Sequence, residues 1–300
     1  MRIHTLTIRK ARSTTPIAER IAGLDPEVSY EEIARLLYAW EFPWDIERSL
    51  ELALFRTYAV PSISGLLAST GEFEHRARKR YDDTELILAE AIENGLDSER
   101  GRRSIARMNA MHGRFEIRNA DMLYVLSTFV CEPIRWLERF GRRPMTEREM
   151  RGWFLYYRGL GERMGIEGIP AHLAELTRMN VDYETTGFCY ADSNNRVAGF
   201  ARDMLLASYV PRHLVPIARP VLHALLDRPL LQSMGFRPAP EWLVRSVTLA
   251  MRVRARILRR LAPRRTPRFL TEVPRPTYPE GYRIEELGTF ENATGRSDER

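Results

Sequence analysis

Apolar residues recur along this chain with the spacing of a helix, in one segment after another, and almost nowhere with the two-residue alternation of a strand. That pattern restricts the fold to helices packed on helices. Ser29 and Glu32 have the order of a capping box, and Ile33, Leu36, Leu37 and Trp40 follow at helical spacing. Thr146 and Glu149 repeat the device. The same periodicity predicts helices over 45–58, 83–93, 98–111, 119–140, 146–164, 171–183, 196–209, 214–226 and 241–261, with Pro61 stopping the first of these before a short apolar piece at 63–67. Residues 1–8, carrying Ile3, Leu6 and Ile8, are the one weak strand candidate. No repeat of fixed period is visible, which argues against a solenoid.

With 300 residues, 44% of them apolar and 29% charged, such helices can close around one large core. The expected architecture is therefore all-α, a single multi-helix domain over 1–290 with a disordered tail at 291–300. Prolines at 263, 267, 274, 276 and 279 turn the end of that domain into an extended strap across the helical body. Cys131 and Cys189 are too few for a disulfide framework or a cysteine-built metal site. Only Lys10 and Lys79 among the 46 basic residues are lysine, so a catalytic lysine has little to draw on. No run of apolar residues reaches membrane-spanning length, and a soluble, cytoplasmic chain is expected.

Several familiar sites are missing from the sequence. There is no phosphate-binding GxxxxGK[ST] loop and no HExxH helix, and Gly159, Gly161 and Gly165 lie inside a helical pattern with no strand before them. A di-iron bundle needs two Glu-x-x-His turns, but only Glu72 and His75 have that spacing, within a charged run that reads as a solvated face. His4 and His75 sit in polar or terminal settings, His213 reads as the entry to a helix, and His223 lies on an apolar stripe as a core histidine would. His112 differs. It shares a helical face with Ile105, Met108 and Met111, beside Arg103 and Arg107. An imidazole on a methionine-rich stripe with cations near it suits an apolar cofactor bearing anionic groups, of which haem is one. A core histidine at a helix end fits the same residues.

A set of stretches in fixed order narrows the choice. They are Lys79-Arg-Tyr-Asp-Asp-Thr84, Ser98-Glu-Arg-Gly101, Arg107-Met-Asn-Ala-Met-His112, residues 119–130, Glu132-Pro-Ile-Arg-Trp136, Gly161-Glu-Arg-Met-Gly-Ile166 and residues 277–288. Over about residues 55 to 290 the chain resembles the MpaB-type oxygenases, grouped with the catalytic domain of rubber oxygenase, or latex-clearing protein. The resemblance implies the all-helical core of that family and an oxidoreductase that uses dioxygen to cleave a carbon–carbon double bond in an isoprenoid- or polyketide-like small molecule. It implies haem b, with His112 as axial ligand and Arg107 carried over with it as a catalytic residue. Arg103, Arg107 and Met108 are then expected around the cofactor, and His172 is the reserve ligand for the other side. The resemblance also implies a second histidine in the following helix, where this chain has Leu126. Fungal members are membrane-bound, and this chain is expected to lack their N-terminal anchor.

The competing reading is a non-enzymatic binding module. Residues 251–268 hold eight arginines in eighteen positions, a density that suits phosphates or anionic lipid. Within them Val253, Ile257, Leu258 and Leu261 make an apolar stripe, as on an amphipathic outer helix. No paired recognition helices or aromatic basic sheet supports nucleic-acid recognition, so no nucleic-acid partner is expected, and peripheral contact with a membrane stays open.

Overall fold

The apolar segment at 119–140 forms the helix on which the others are arranged. In the computed structural model, residues 15–288 are described, and among them there are fourteen α-helices and no strand. They are α1 (Pro16–Ala22), α2 (Pro26–Leu36), α3 (Pro43–Tyr58), α4 (Pro61–Ser69), α5 (Glu72–His75), α6 (Ala77–Asn94) and α7 (Glu99–His112). After them come α8 (Asn119–Phe140), α9 (Glu147–Arg163), α10 (Leu173–Gly187), α11 (Asp192–Ala207), α12 (Val215–His223), α13 (Arg228–Ser233) and α14 (Glu241–Leu258). The protein is all-α, as its periodicity predicts. The strand candidate at 1–8 and the tail at 291–300 lie outside the described residues.

Local chemistry sets the helix starts. Proline opens α1, α2, α3 and α4, where its missing N–H leaves no helical bond unmade. The Thr146 hydroxyl accepts from the Glu149 N–H at 3.2 Å, and the Glu149 carboxylate accepts from the Thr146 N–H at 2.7 Å, closing the expected capping box. The helix expected to begin at Ser29 is α2, which starts earlier: its cap is Asp25, which accepts from the Glu27 N–H at 3.0 Å, while Ser29 sits at a kink inside it with φ −107° and ψ 23°. The helix expected over 214–226 is α12, which ends at His223, and α13 follows it as a separate helix capped by Asp227, which accepts from the Leu230 N–H at 3.0 Å. The charged run that includes Lys79 and Arg80 is helical as well, and it makes α6 six residues longer at its start than its apolar pattern showed.

α8 is buried along most of its length, against α3, α9, α10 and α14. Trp136 stacks edge-on against Phe140 and donates to Asp45 on α3 at 3.0 Å, and Arg254 of α14 reaches the same carboxylate at 2.8 Å. Among the described residues no helix is long and apolar enough to cross a membrane. Cys131 is buried, Cys189 is exposed and both are free thiols.

The proline-rich segment does lie across the helices, and a row of buried acids on α6 holds it. Asp82 accepts from Thr277 Oγ1 at 2.6 Å, Asp83 accepts from Tyr278, Glu90 accepts from Tyr282 at 2.6 Å, and Glu93 accepts from the Leu270 N–H at 2.6 Å. These positions share one side of the helix, and the strap runs down it from Glu93 to Asp82 and Asp83 and then turns back to Glu90. Gly288 ends the contact in the left-handed region at φ 83°, with a Cβ position only 1.9 Å from the sulfur of Met111. No side chain fits there.

Candidate active site

Two apolar clusters make up the core, one built around α2, α6, α8 and α9 and the other around Tyr58, Phe73, α11 and α13. Between them lies a cavity of about 430 Å³. Helical spacing explains which residues reach it. On α8, Met122, Val125, Leu126 and Phe129 recur at intervals of three and four, and on α7 Met108, Met111 and His112 do the same. Tyr157 and Leu160 of α9 and Met204 and Leu205 of α11 close it further. The walls are overwhelmingly apolar, which favours a ligand of the same kind.

Three polar groups stand out in this lining. His112 is the last residue of α7; its Nδ1 is buried without a hydrogen-bond partner, and the ring makes no hydrogen bond among the described residues. Burial, reinforced by the positive charge of Arg80, pushes its pKa down to about 4. The imidazole is therefore neutral at pH 7 and keeps a nitrogen lone pair available. Arg80 is the second group. Its neighbours pair one turn onward, Arg78 with Asp82 at 3.1 Å and Lys79 with Asp83 at 2.8 Å, but the residue four positions after Arg80 is Thr84. Among the described residues the Arg80 guanidinium has no ion pair or hydrogen bond, and it lines the cavity. The third is Glu51, which accepts from the Tyr81 hydroxyl at 2.7 Å and pairs with Arg48 at 3.0 Å. Burial pushes its pKa up to about 7.

The residues expected at the site divide cleanly. Met108 and His112 line the cavity. Arg103 and Arg107 do not: Arg103 donates to Glu285 at 2.6 and 2.9 Å, and the Arg107 Nε donates to the Leu287 carbonyl at 2.6 Å. One residue along a helix is a rotation of about 100°, so the row Arg103–Arg107 faces the strap while the row Met108–His112 faces the cavity. His172 is exposed at the start of α10 and is not part of the lining. Leu126 is part of it. His223 is the core residue its stripe suggested, stacked on Phe236 and hydrogen-bonded at 2.9 Å to the Arg237 carbonyl. Arg80 and Glu51 escaped the sequence reading, although the broken i,i+4 pairing at Arg80 was a usable signal.

These features fit a haem-like group on chemical grounds. A neutral imidazole with an unpartnered nitrogen can ligate iron, the unpaired Arg80 can meet an anionic substituent, and most of the remaining lining is apolar, with Glu51, Glu72, Glu116, Arg118 and Asp121 as the further charged groups. Among the described residues no three His, Cys, Asp or Glu side chains cluster as a metal site. An iron bound at His112 has to bring donors of its own, as a porphyrin does.

Fold and cavity together define a helical protein built to enclose an apolar group beside one neutral histidine. The chain belongs to the family described as ER-bound oxygenase mpaB/B'/Rubber oxygenase, catalytic domain, which matches residues 52–260. It is 31% identical over 288 residues to the ER-bound oxygenase mpaB' of Penicillium brevicompactum, an alignment covering 88% of this chain and 66% of that protein. It is 32% identical over 214 residues to the ER-bound oxygenase mpaB of the same organism, covering 64% and 54% of the two chains. A third relative, the ER-bound oxygenase mpaB of Penicillium roqueforti, is 28% identical over 240 residues, covering 73% and 79%. The chain thus spans about two thirds of the first relative's length and about half of the second's.

Proposed function

We propose that this protein is an oxygenase that holds one haem b through His112 and uses dioxygen to cleave a carbon–carbon double bond in an apolar, isoprenoid- or polyketide-like small molecule. The observation that carries the reading is the neutral, unpartnered imidazole of His112 on the wall of an apolar cavity, in a chain of an oxygenase family. Haem, when bound, supplies the oxygen chemistry. The protein's share is binding, orientation and exclusion of water. His112 holds the iron, and Arg80 meets an anionic group at the cavity wall. Met108, Met111, Leu126 and Phe129 give apolar contact area that orients a hydrocarbon chain and keeps water from it. Glu51, with a pKa of about 7, can hold or release a proton at its carboxyl near neutral pH. The workplace proposed for this activity is the cytoplasm, with no nucleic-acid partner.

The test is a spectrum followed by a labelling experiment. The purified protein is expected to show a Soret band that His112→Ala removes or shifts, and to give aldehyde or ketone products carrying labelled oxygen from alkene-containing terpenoids. A Soret band unchanged in His112→Ala refutes the ligand assignment. Full haem occupancy without labelled product across a broad isoprenoid panel refutes the cleavage reaction.

A further inference from the structure

We propose that α12 and α14 form a surface that docks on an anionic lipid bilayer, with the apolar row of α14 in the interfacial zone and its arginines against the headgroups. The proposal does not depend on the reaction assigned to the cavity.

α14 is fixed to the body by one side. Ala255 is buried, and Arg254 lies over the Trp44 ring at 3.8 Å while bonding Asp45. The opposite side carries Trp242, Leu249, Val253 and Ile257, at intervals of seven, four and four, and all four are exposed, Trp242 to 68% and Ile257 to 53%. A surface helix ordinarily turns such a row inward. Here the inward side is already occupied and the apolar row faces solvent. Arg252 and Arg256 each precede a member of the row by one residue, so they form a cationic flank beside it. Neither makes an ion pair among the described residues. α12 packs on α14 and exposes Ile217, to 75%, and Val221 one turn later.

The distribution over the whole molecule is uneven in the same sense. Of the fourteen large apolar side chains exposed among the described residues, nine fall between Tyr209 and Leu261. Residues 209–268 hold thirteen arginines against Asp227 and Glu241, a local excess of eleven positive charges. The chain as a whole carries only +6, so the remaining residues sum to −5. This stretch is therefore both the most cationic and the most apolar part of the exposed chain, even after Arg219, Arg254 and Arg268 pair with Asp203, Asp45 and Glu47 outside it.

Charge complementarity chooses the occupant. An anionic bilayer offers negative headgroups and an apolar phase a few ångströms deeper, which is what an interfacial helix with a basic flank uses. A nucleic acid satisfies the arginines but leaves Trp242, Val253 and Ile257 without a partner. A second copy docked face to face sets the cationic flank of Arg252 and Arg256 against its own like charges. α11, which contributes Met204 and Leu205 to the cavity, packs directly on α12, so a docked α12 stands one helix from the cavity wall.

The full chain is floated with phosphatidylcholine vesicles with and without phosphatidylserine. Flotation is expected only with the anionic vesicles, weakened by added salt and by about a hundredfold in an Arg245→Ala, Arg252→Ala, Arg256→Ala variant, since each cation near the surface contributes on the order of 1 kcal/mol. Brominated acyl chains are expected to quench a tryptophan signal that disappears in Trp242→Ala. All these side chains are exposed, and circular dichroism checks that the variants remain folded. Failure to float with anionic vesicles at low salt overturns the proposal. So does flotation without acyl-chain quenching of Trp242, tight duplex DNA binding in place of vesicle binding, or a dimer that shields Trp242.

Discussion

The indole N–H of Trp153 donates to the carbonyl oxygen of Phe129 at 3.2 Å. That oxygen lies four residues before Pro133, inside α8, where proline has no N–H to return the helical bond. A side chain of α9 thus completes the backbone of α8, and both groups are buried. Trp153→Phe is expected to cost about 1–3 kcal/mol, measured by denaturant unfolding, because a buried carbonyl loses its donor. The cost should shrink in a Pro133→Ala background, where the substitution restores a backbone N–H that can donate instead. Equal costs in the two backgrounds would show that the indole acts through packing alone.

Glu93 gives the strap a pH dependence. Its carboxylate accepts from the Leu270 and Thr271 N–H groups and from Thr271 Oγ1, yet burial outweighs these bonds and pushes its pKa up to about 7. The folded state therefore holds this proton over a range where the unfolded chain has released it. The stability that goes with it is fully present below the ordinary glutamate pKa and is lost as pH rises towards 7. Glu93→Gln removes the titration. Relative to this variant, the wild-type protein is expected to lose on the order of 2 kcal/mol between about pH 5 and about pH 8, followed by urea unfolding at each pH. Parallel pH profiles for the two proteins would assign the dependence to other groups.

The all-helical architecture was legible because each long helix carries its own apolar period, and 119–140 coincides with α8 at both ends. The strap was legible from its prolines. What periodicity does not report is where a polar face points once helices are packed. Arg80 sits in a run that reads as solvated, and the tertiary arrangement turns it toward a cavity. Arg103 and Arg107 read as neighbours of His112, and they are neighbours in sequence, but the strap lies on their side of α7. The partner that decides their role is about 180 residues away. The same holds for the acids of α6, whose purpose is invisible until residues 270–282 arrive beside them.

This division of α7 predicts a division of phenotypes. Arg107→Ala is expected to reduce stability by about 1–2 kcal/mol, through loss of its charge-assisted bond to the Leu287 carbonyl, with haem content unchanged. Arg80→Gln is expected to do the reverse, lowering retention of the haem-like group while leaving the unfolding curve near that of the wild type, since the guanidinium has no ion pair or hydrogen bond to lose among the described residues. Unfolding curves and the Soret absorbance per protein, measured on both variants, check the pair. Loss of haem in Arg107→Ala with a normal unfolding curve would return that residue to the site.

Gly161 links the core to the size of the cavity. A Cβ at this position would stand 2.6 Å from Leu126 Cδ2 and 2.8 Å from Ile169 Cδ1, closer than such contacts tolerate, so α9 can approach α8 only where the side chain is absent. Leu126 itself lines the cavity. In Gly161→Ala one of the two neighbours has to move, and the empty space open to Leu126 is the cavity. The variant is expected to lose about 1–3 kcal/mol of stability from overpacking, and to bind bulky apolar ligands more weakly. Adding Leu126→Ala to it removes the colliding methyl and should restore part of the stability and the binding together. Calorimetric melting with ligand titration on the single and double variants measures both. If Gly161→Ala melts and binds like the wild type, the contact with Leu126 does not limit the cavity.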